Sequence, residues 1–281
     1  MKVLKESTLI VCSIVRDAEH SLKVNIPVID ALCRYFKDYR IVVYENDSKD
    51  KTKLLLNQWA DKDRQRIHVL LNDNDRSKTI PKKGNVACNP FFSRKRISKM
   101  VNLRNQYMEY VEKQGWHSDY LIVVDLDVAH LYVSPIIEAM SDNREWDVLT
   151  AFGFSLSPYL TRRYHDGYAL TRLGEENAPQ TEEMIYSIPK ILGKLKPCDD
   201  WLKVYSAFGG LAIYKYDAIK DLRYEVLSNN DLKVEVHCEH FSIYKQIHER
   251  GYNNIYVVPS LILKYQAITP RLIWNTIKRK L

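Results

Sequence analysis

The chain has 281 residues, a net charge of +7 and an isoelectric point of about 9.0, and 46% of its residues are hydrophobic. This length and apolar content suit one α/β domain with a sizeable core, and the positive charge indicates an anionic partner. The apolar run near the N-terminus, residues 9–15, is too short for a signal peptide or a membrane span.

The five cysteines are odd in number and widely spaced, and no two of them form a CxxC pair. This usage is typical of reduced thiols and argues against a disulfide framework or a zinc site. We therefore expect a soluble, cytoplasmic protein.

Short apolar runs alternate with helical patterns along the chain, which is typical of βαβ units and a mixed, mostly parallel twisted sheet flanked by helices. The predicted strands are 8–15, 41–44, 67–71, 120–124, 147–152, 207–214, 233–237 and 255–258, and the helical patterns include 22–36, 97–111 and 239–250. No repeat or flexible linker divides the chain. We predict one α/β domain over residues 1–262 and a basic C-terminal helix or tail over 263–281.

Two carboxylates follow the strand predicted at residues 120–124. Asp125 and Asp127 would project to the same side of the sheet at its carboxyl edge, where open α/β sheets bind ligands. A divalent cation completed by diphosphate oxygens would relieve the repulsion between them. Two other readings stay open: a pair of strand-end aspartates that cap a helix, and the nucleophile motif of haloacid-dehalogenase-like phosphatases, with Asp125 as nucleophile. Those phosphatases carry the motif on their first strand, whereas three predicted strands precede it here.

Further polar groups stand at the predicted strand ends and on the neighbouring helices. Near the second strand, acidic groups can accept hydrogen bonds from a base or ribose. Two arginines eight residues apart on one helix face, beside an asparagine, can bind ribose or phosphate oxygens. A late Gly-Gly lets backbone approach a ligand, and a Glu-His pair at a helix start offers a proton acceptor and a third metal ligand. These residues are Glu45, Asp47, Arg96, Arg104, Asn105, Gly209, Gly210, Glu239 and His240.

Taken in order, these motifs resemble the GT-A glycosyltransferases and, more narrowly, the CAP59-type, capsule-associated mannosyltransferase group. The similar segments are 14–17 (IVRD), 44–52 (YENDSKDKT), 103–105 (LRN), 125–127 (DLD), 208–210 (FGG), 238–240 (CEH), 249–252 (ERGY) and 257–259 (VVP).

The resemblance implies roles for individual residues. Arg16, Glu45, Asp47 and Arg104 match positions near the nucleotide, and the Asp125–Asp127 motif would hold Mn²⁺ or Mg²⁺. Glu239 takes the first place of the Glu-Asp pair of many inverting members and is the candidate base. His240 stands where that pair has aspartate, so the stereochemical outcome stays open.

We therefore expect a metal-dependent glycosyltransferase that moves a sugar from a UDP- or GDP-linked donor to a hydroxyl of a glycan or glycoconjugate. The alternatives are the phosphatase that uses Asp125 and a non-catalytic nucleic-acid-binding protein, and the motifs favour a protein without a nucleic-acid partner. The C-terminal segment 270–281 combines apolar and basic residues. It is predicted either to contact an anionic membrane surface peripherally or to dock as a terminal helix.

Overall fold

A single mixed sheet forms the centre of the computed structural model, which describes residues 4–72, 88–157 and 161–266 together with residues 273, 274 and 277. Across the sheet, the strands in chain order 3-2-1-4-8-5-9-7 lie side by side, and strand 6 pairs with strand 5 outside this path. The strands are β1 (Thr8–Val15), β2 (Asp38–Asn46), β3 (Ile67–Asn72), β4 (Tyr120–Val124), β5 (Val148–Leu156), β6 (Arg162–Tyr164), β7 (Leu202–Lys203), β8 (Leu211–Lys215) and β9 (Ile255–Lys264).

Helices cover both faces of this sheet. Buried apolar residues of the first, second and fourth helices pack on one face, and those of the third, fifth and seventh pack on the other. The predicted architecture, one α/β domain with a mixed sheet between helices, is confirmed. The helices are α1 (Glu19–Cys33), α2 (Thr52–Ala60), α3 (Arg94–Lys113), α4 (Val133–Ser141), α5 (Glu182–Leu192), α6 (Tyr216–Ile219) and α7 (Glu239–Glu249).

The strands β1, β2, β3 and β4 run parallel to one another, so their carboxyl ends meet at one edge of the sheet. The apolar run of β1 is almost completely buried, as expected for a parallel strand covered on both faces. β8 is antiparallel to β4, so the start of β8 lies at the same edge as the end of β4. We call this edge, where the candidate residues of the first half of the chain meet those of the second, the active edge.

Two expectations differ from the structure. Residues 233–237 were predicted as a strand, but they contribute only an isolated bridge between Ser228 and Val236. The predicted domain boundary at residue 262 falls inside β9, which continues in the sheet to Lys264. The tail that was predicted over 263–281 is described only through residue 266 and at residues 273, 274 and 277.

None of the helices in the described part of the chain is long and apolar enough to span a membrane.

At the active edge, two backbone segments approach each other so closely that neither has room for a side chain. A Cβ added to Gly153 in β5 would lie 2.0 Å from the carbonyl oxygen of Gly209. A Cβ added to Gly209 would lie 2.1 Å from the carbonyl oxygen of Ala151, and Gly209 also has a φ of +66°. Since both obstacles are backbone atoms, a side chain at either position would displace a strand.

We expect Gly153→Ala to lower the free energy of unfolding by about 1–3 kcal/mol, because the added methyl group forces two backbone segments apart. The change is measured by urea denaturation. The matched control is Ser155→Ala, a change two residues further along β5 at a partly exposed position, which should stay within about 0.5 kcal/mol of the wild type. Equal stability of the two variants would contradict the close approach.

Candidate active site

The loops that follow β1 and β2 are bound to each other at the active edge. The backbone N–H of Asp17 donates to Ser48 Oγ over 2.9 Å, and Asp17 Oδ1 accepts the N–H of Lys49 at 2.7 Å. Arg16 is partly exposed, with its Nε 3.6 Å from Asp17 Oδ2. Asp47 adopts a left-handed backbone with a φ of 52° and is also partly exposed. The two loops that carry these predicted nucleotide contacts are therefore joined, and both side chains keep some exposed surface.

Glu45 differs from its prediction as a ligand contact because it is completely buried. Its Oε1 accepts the backbone N–H of Ser48 at 2.5 Å, and its Oε2 lies 3.8 Å from the Lys53 ammonium. The carboxylate therefore shapes the loop after β2 and does not present an acceptor to a base or ribose.

Asp125 and Asp127 lie where the sequence placed them, immediately after β4 at the active edge. Asn25 of α1 holds this segment: its Nδ2 donates to the carbonyl oxygens of Leu126 and Val128, and its Oδ1 accepts the N–H of Leu131. Asn25 is completely buried, so these three backbone groups have a fixed partner. The segment that carries both carboxylates is thereby anchored to α1.

The electrostatics around Asp125 favour binding of a cation or a proton. Burial, opposed by the charge of Arg104, raises the pKa of Asp125 to about 7, and the negative charges of Asp127 and Asp166 add to this rise. The hydroxyl of Tyr265 donates to Asp125 Oδ2 over 3.2 Å. Asp127 is exposed. The site thus has an excess of negative charge with one carboxylate fixed and one accessible.

Arg104 is buried among carboxylates, whereas the sequence predicted a contact with ribose or phosphate oxygens. Its side chain is 4% exposed, its Nε lies 2.9 Å from Glu239 Oε1 and its Nη2 lies 3.6 Å from Asp125 Oδ1. The guanidinium carbon also lies 5.0 Å from the centre of the Phe208 ring. Arg104 therefore joins α3, α7 and the end of β4 on the inside of the protein.

Glu239 is held in the same ion pair, which argues against its predicted role as the base. Burial alone would raise the pKa of Glu239, but the charges of Arg104, His240 and Arg96 and the hydrogen bond from Arg104 together outweigh it and lower the pKa to about 2. Glu239 Oε2 also accepts the thiol of Cys238 at 3.4 Å. A carboxylate with so low a pKa is a weak proton acceptor near neutral pH.

His240 and Asn105 also differ from their predicted roles. The ring of His240 is 1% exposed and stacks on Phe208 with 3.8 Å between ring centres. Within the described residues, no group of three or more histidine, cysteine or acidic side chains is arranged to bind a metal ion, so His240 does not join Asp125 and Asp127. The amide of Asn105 is used at both ends by the backbone of Tyr224, which makes it a structural contact.

Arg96 and the Gly-Gly pair lie close to this centre. Arg96 is partly exposed, its Nη1 donates to the carbonyl oxygen of Phe91, and its charge contributes to the low pKa of Glu239. The carbonyl oxygen of Gly210 accepts the N–H of Asp125 at 2.9 Å. The start of β8 is therefore bound directly to the carboxylate segment that follows β4.

Sequence reasoning missed Asp166 and Tyr265. Burial and the charge of Glu239 raise the pKa of Asp166 to about 6, and its own charge acts on Asp125 and Tyr265. The Tyr265 ring stacks on His165 with 3.3 Å between ring centres. No sequence spacing points to these residues, because they come from the end of β6 and the end of β9 and meet Asp125 only in the folded sheet.

The sequence matches a family model described as "Cryptococcal mannosyltransferase 1" over residues 8–244, which is most of the chain. The chain belongs to this family. It is therefore a glycosyltransferase, as the motifs predicted, and the phosphatase and the non-catalytic nucleic-acid binder are set aside as readings of the Asp125–Asp127 motif. No curated protein sequence matches the chain.

Solved structures show a looser likeness to this glycosyltransferase. A mannosyltransferase from Pyrobaculum calidifontis in complex with GDP-Man and Mn²⁺ is 13% identical, with a TM-score of 0.47 over 95% of this chain and 58% of that chain. Glucosyl-3-phosphoglycerate synthase from Mycobacterium tuberculosis with phosphoglyceric acid is 12% identical, with a TM-score of 0.45 over 97% and 80%. TarS from S. aureus in complex with UDP-GlcNAc is 13% identical, with a TM-score of 0.44 over 93% and 60%. At these scores, the assignment rests on the family match.

We expect Arg104→Met to lower the free energy of unfolding by about 3–5 kcal/mol, because it leaves Glu239 buried without a positive partner. In a urea-denaturation double-mutant cycle, Arg104→Met combined with Glu239→Gln should cost less than the sum of the single changes. The matched control is Arg144→Met, whose ion pairs with Asp142 and Asp200 are solvent-exposed and should be worth at most about 1 kcal/mol. Additive effects of Arg104→Met and Glu239→Gln would contradict the coupling.

Proposed function

We propose that this glycosyltransferase moves a sugar from a nucleoside-diphosphate sugar, GDP- or UDP-linked, to a hydroxyl of a glycan or glycoconjugate. The observation that carries the proposal is the position of Asp125 and Asp127. Both residues follow β4. On one side of them lie the ends of β1 and β2, which carry Arg16 and Asp47, and on the other side lies the start of β8. A donor that lies along the active edge would have its nucleoside beside the first pair and its diphosphate beside the two carboxylates.

The two carboxylates at this position fit a divalent cation of the Mn²⁺ or Mg²⁺ type. Such ions are commonly held by one or two carboxylates and take their other ligands from phosphate oxygens and water. Asp125 and Asp127 would supply the carboxylates, and the burial and neighbouring negative charges that raise the pKa of Asp125 support a cation at this place. When bound, the ion would offset the charge that develops on the departing diphosphate.

The chain's own residues would orient this site. Tyr265 donates to Asp125, and Ser21 Oγ donates to the carbonyl oxygen of Asp127 over 2.9 Å. The buried guanidinium of Arg104 lies beside Asp125 and compensates part of the negative charge of that carboxylate. We propose that Glu239 acts by fixing Arg104 and not as the base, because the ion pair keeps its pKa low.

The family match decides which sugar donors are tested first. Since the family description names a mannosyltransferase, GDP-mannose is the first donor to examine and UDP-glucose is the comparison. We expect the preferred donor with Mn²⁺ to raise the Tm of the wild type by about 5 °C at roughly a hundred times its Kd. Omission of Mn²⁺, or the change Asp127→Ala, should abolish the shift.

The control for Asp127→Ala is Asp217→Ala, an exposed aspartate on α6 that pairs with Lys220 and should keep the full shift. A wild type whose Tm responds to no nucleotide sugar, with or without Mn²⁺, would contradict the proposed function. A shift that is independent of Mn²⁺ would contradict only the proposed metal site.

We also propose a peripheral contact of the C-terminal tail with an anionic membrane surface, while the cytoplasmic location stays a prediction. Ile273, Trp274 and Ile277 are 43%, 58% and 46% exposed, and a basic run, residues 278–280 (KRK), follows them in the sequence. Apolar side chains beside positive charges are the combination that binds anionic lipid surfaces.

We expect the wild type to co-sediment with vesicles that contain phosphatidylserine and not with pure phosphatidylcholine vesicles. The change Trp274→Ala together with Ile277→Ala should reduce the bound fraction, because less apolar area enters the lipid interface. Leu232→Ala, which removes a side chain that is 84% exposed elsewhere on the surface, is the control and should leave binding unchanged. Equal binding to both vesicle types would contradict the proposal.

A further inference from the structure

The strand order sets the direction in which a donor would lie along the active edge. Arg16 and Asp47 follow β1 and β2, Asp125 follows β4, and β8 and β5 come next across the sheet. If the nucleoside lies beside β1 and β2 and the diphosphate beside Asp125, the sugar must extend towards β8 and β5. The polar side chains on that side are therefore the ones that can contact the transferred sugar.

Asp166 lies on that side of the carboxylate pair. β6 returns antiparallel to β5, and the N–H of His165 then donates to the carbonyl oxygen of Gly153 over 2.7 Å. This hydrogen bond fixes the next residue beside the close approach of Gly153 and Gly209. The carboxylate of Asp166 accepts the backbone N–H groups of Ala169 and Gly209.

The backbone of Asp166 is itself unusual. Its φ of 74° lies in the left-handed region, which residues other than glycine seldom adopt. Such a conformation costs free energy and persists where the surrounding structure enforces it, frequently at binding sites. Here the enforced turn directs the chain so that an acidic residue stands next to Gly209 and within electrostatic reach of Asp125.

The second acidic residue in this region, Glu239, is not available to a ligand. It is 4% exposed, and its two oxygens accept the Arg104 guanidinium and the Cys238 thiol. Asp166 is partly exposed, and two backbone N–H groups use only part of the acceptor capacity of a carboxylate, which has about four sites.

We propose that Asp166 binds a hydroxyl of the donor's transferred sugar and so fixes the sugar ring beside Gly209 and Gly210. This inference rests on the proposed function. A hydrogen bond between a carboxylate and a hydroxyl is charge-assisted and therefore stronger than one between neutral groups. Asp166 is in this sense a binding residue that selects for the sugar, whereas Asp125 and Asp127 serve the diphosphate.

The test compares a nucleotide with its own sugar conjugate. Isothermal titration calorimetry on the full chain with Mn²⁺ measures the Kd of GDP and of GDP-mannose, or of UDP and UDP-glucose if the wild type prefers that donor. Asp166→Asn should weaken the nucleotide sugar about tenfold and change the free nucleoside diphosphate by less than about twofold. The matched control is Asp221→Asn, an exposed aspartate with a similar left-handed φ of 61°, which should change neither Kd.

A second variant keeps the result interpretable if Asp166→Asn is unstable. Asp166→Gly retains the left-handed backbone without steric cost and should show the same selective loss. An equal loss for nucleotide and nucleotide sugar would overturn the inference, since Asp166 would then serve the metal or the diphosphate. Unchanged binding of both would overturn it as well. A wild type that binds the nucleoside diphosphate but no nucleotide sugar would overturn the inference together with the proposed function.

Discussion

A buried positive charge organises the structure around the candidate site. Arg104 lies in the middle of α3, and its side chain pairs with Glu239 at the start of α7 and with Asp125 after the end of β4. A guanidinium in this position is tolerated only because the surrounding carboxylates compensate its lost hydration. The same contacts decide which carboxylates remain available to a ligand. The charge of Glu239 is paired with Arg104 inside the protein, whereas Asp127 and Asp166 keep exposed surface.

The change of strand direction inside the sheet explains how one edge can hold a long, two-part ligand. Parallel strands bring the ends of β1, β2 and β4 together, and the antiparallel β8 returns to the same place by its start. The hydrogen bond from the N–H of Asp125 to Gly210 joins these two halves of the sheet. The proposed nucleoside, cation and sugar sites would therefore follow each other along one line, in the order of the parts of a glycosyl donor.

Much of this was predictable because it depends on local pattern. The apolar runs gave the positions of β1 and β4, and the end of the β4 run placed Asp125 and Asp127 at the edge of the sheet where the structure has them. The surroundings of Glu239 and His240 could not be predicted in the same way. A carboxylate at a helix start has the same local sequence whether it faces a ligand or an arginine 135 residues away. Tyr265 lies beyond the predicted domain boundary, and nothing local shows that it donates a hydrogen bond to a residue 140 positions earlier.

The close approach of Gly153 and Gly209 has an evolutionary consequence. At most packed positions, a larger residue on one side can be accommodated by a smaller one on the other. Here each missing Cβ faces a carbonyl oxygen, which every residue type possesses, so no exchange at a neighbouring position can make room. These two glycines should therefore stay unchanged whatever substitutions occur around them, and be replaced only in descendants that have abandoned this backbone arrangement.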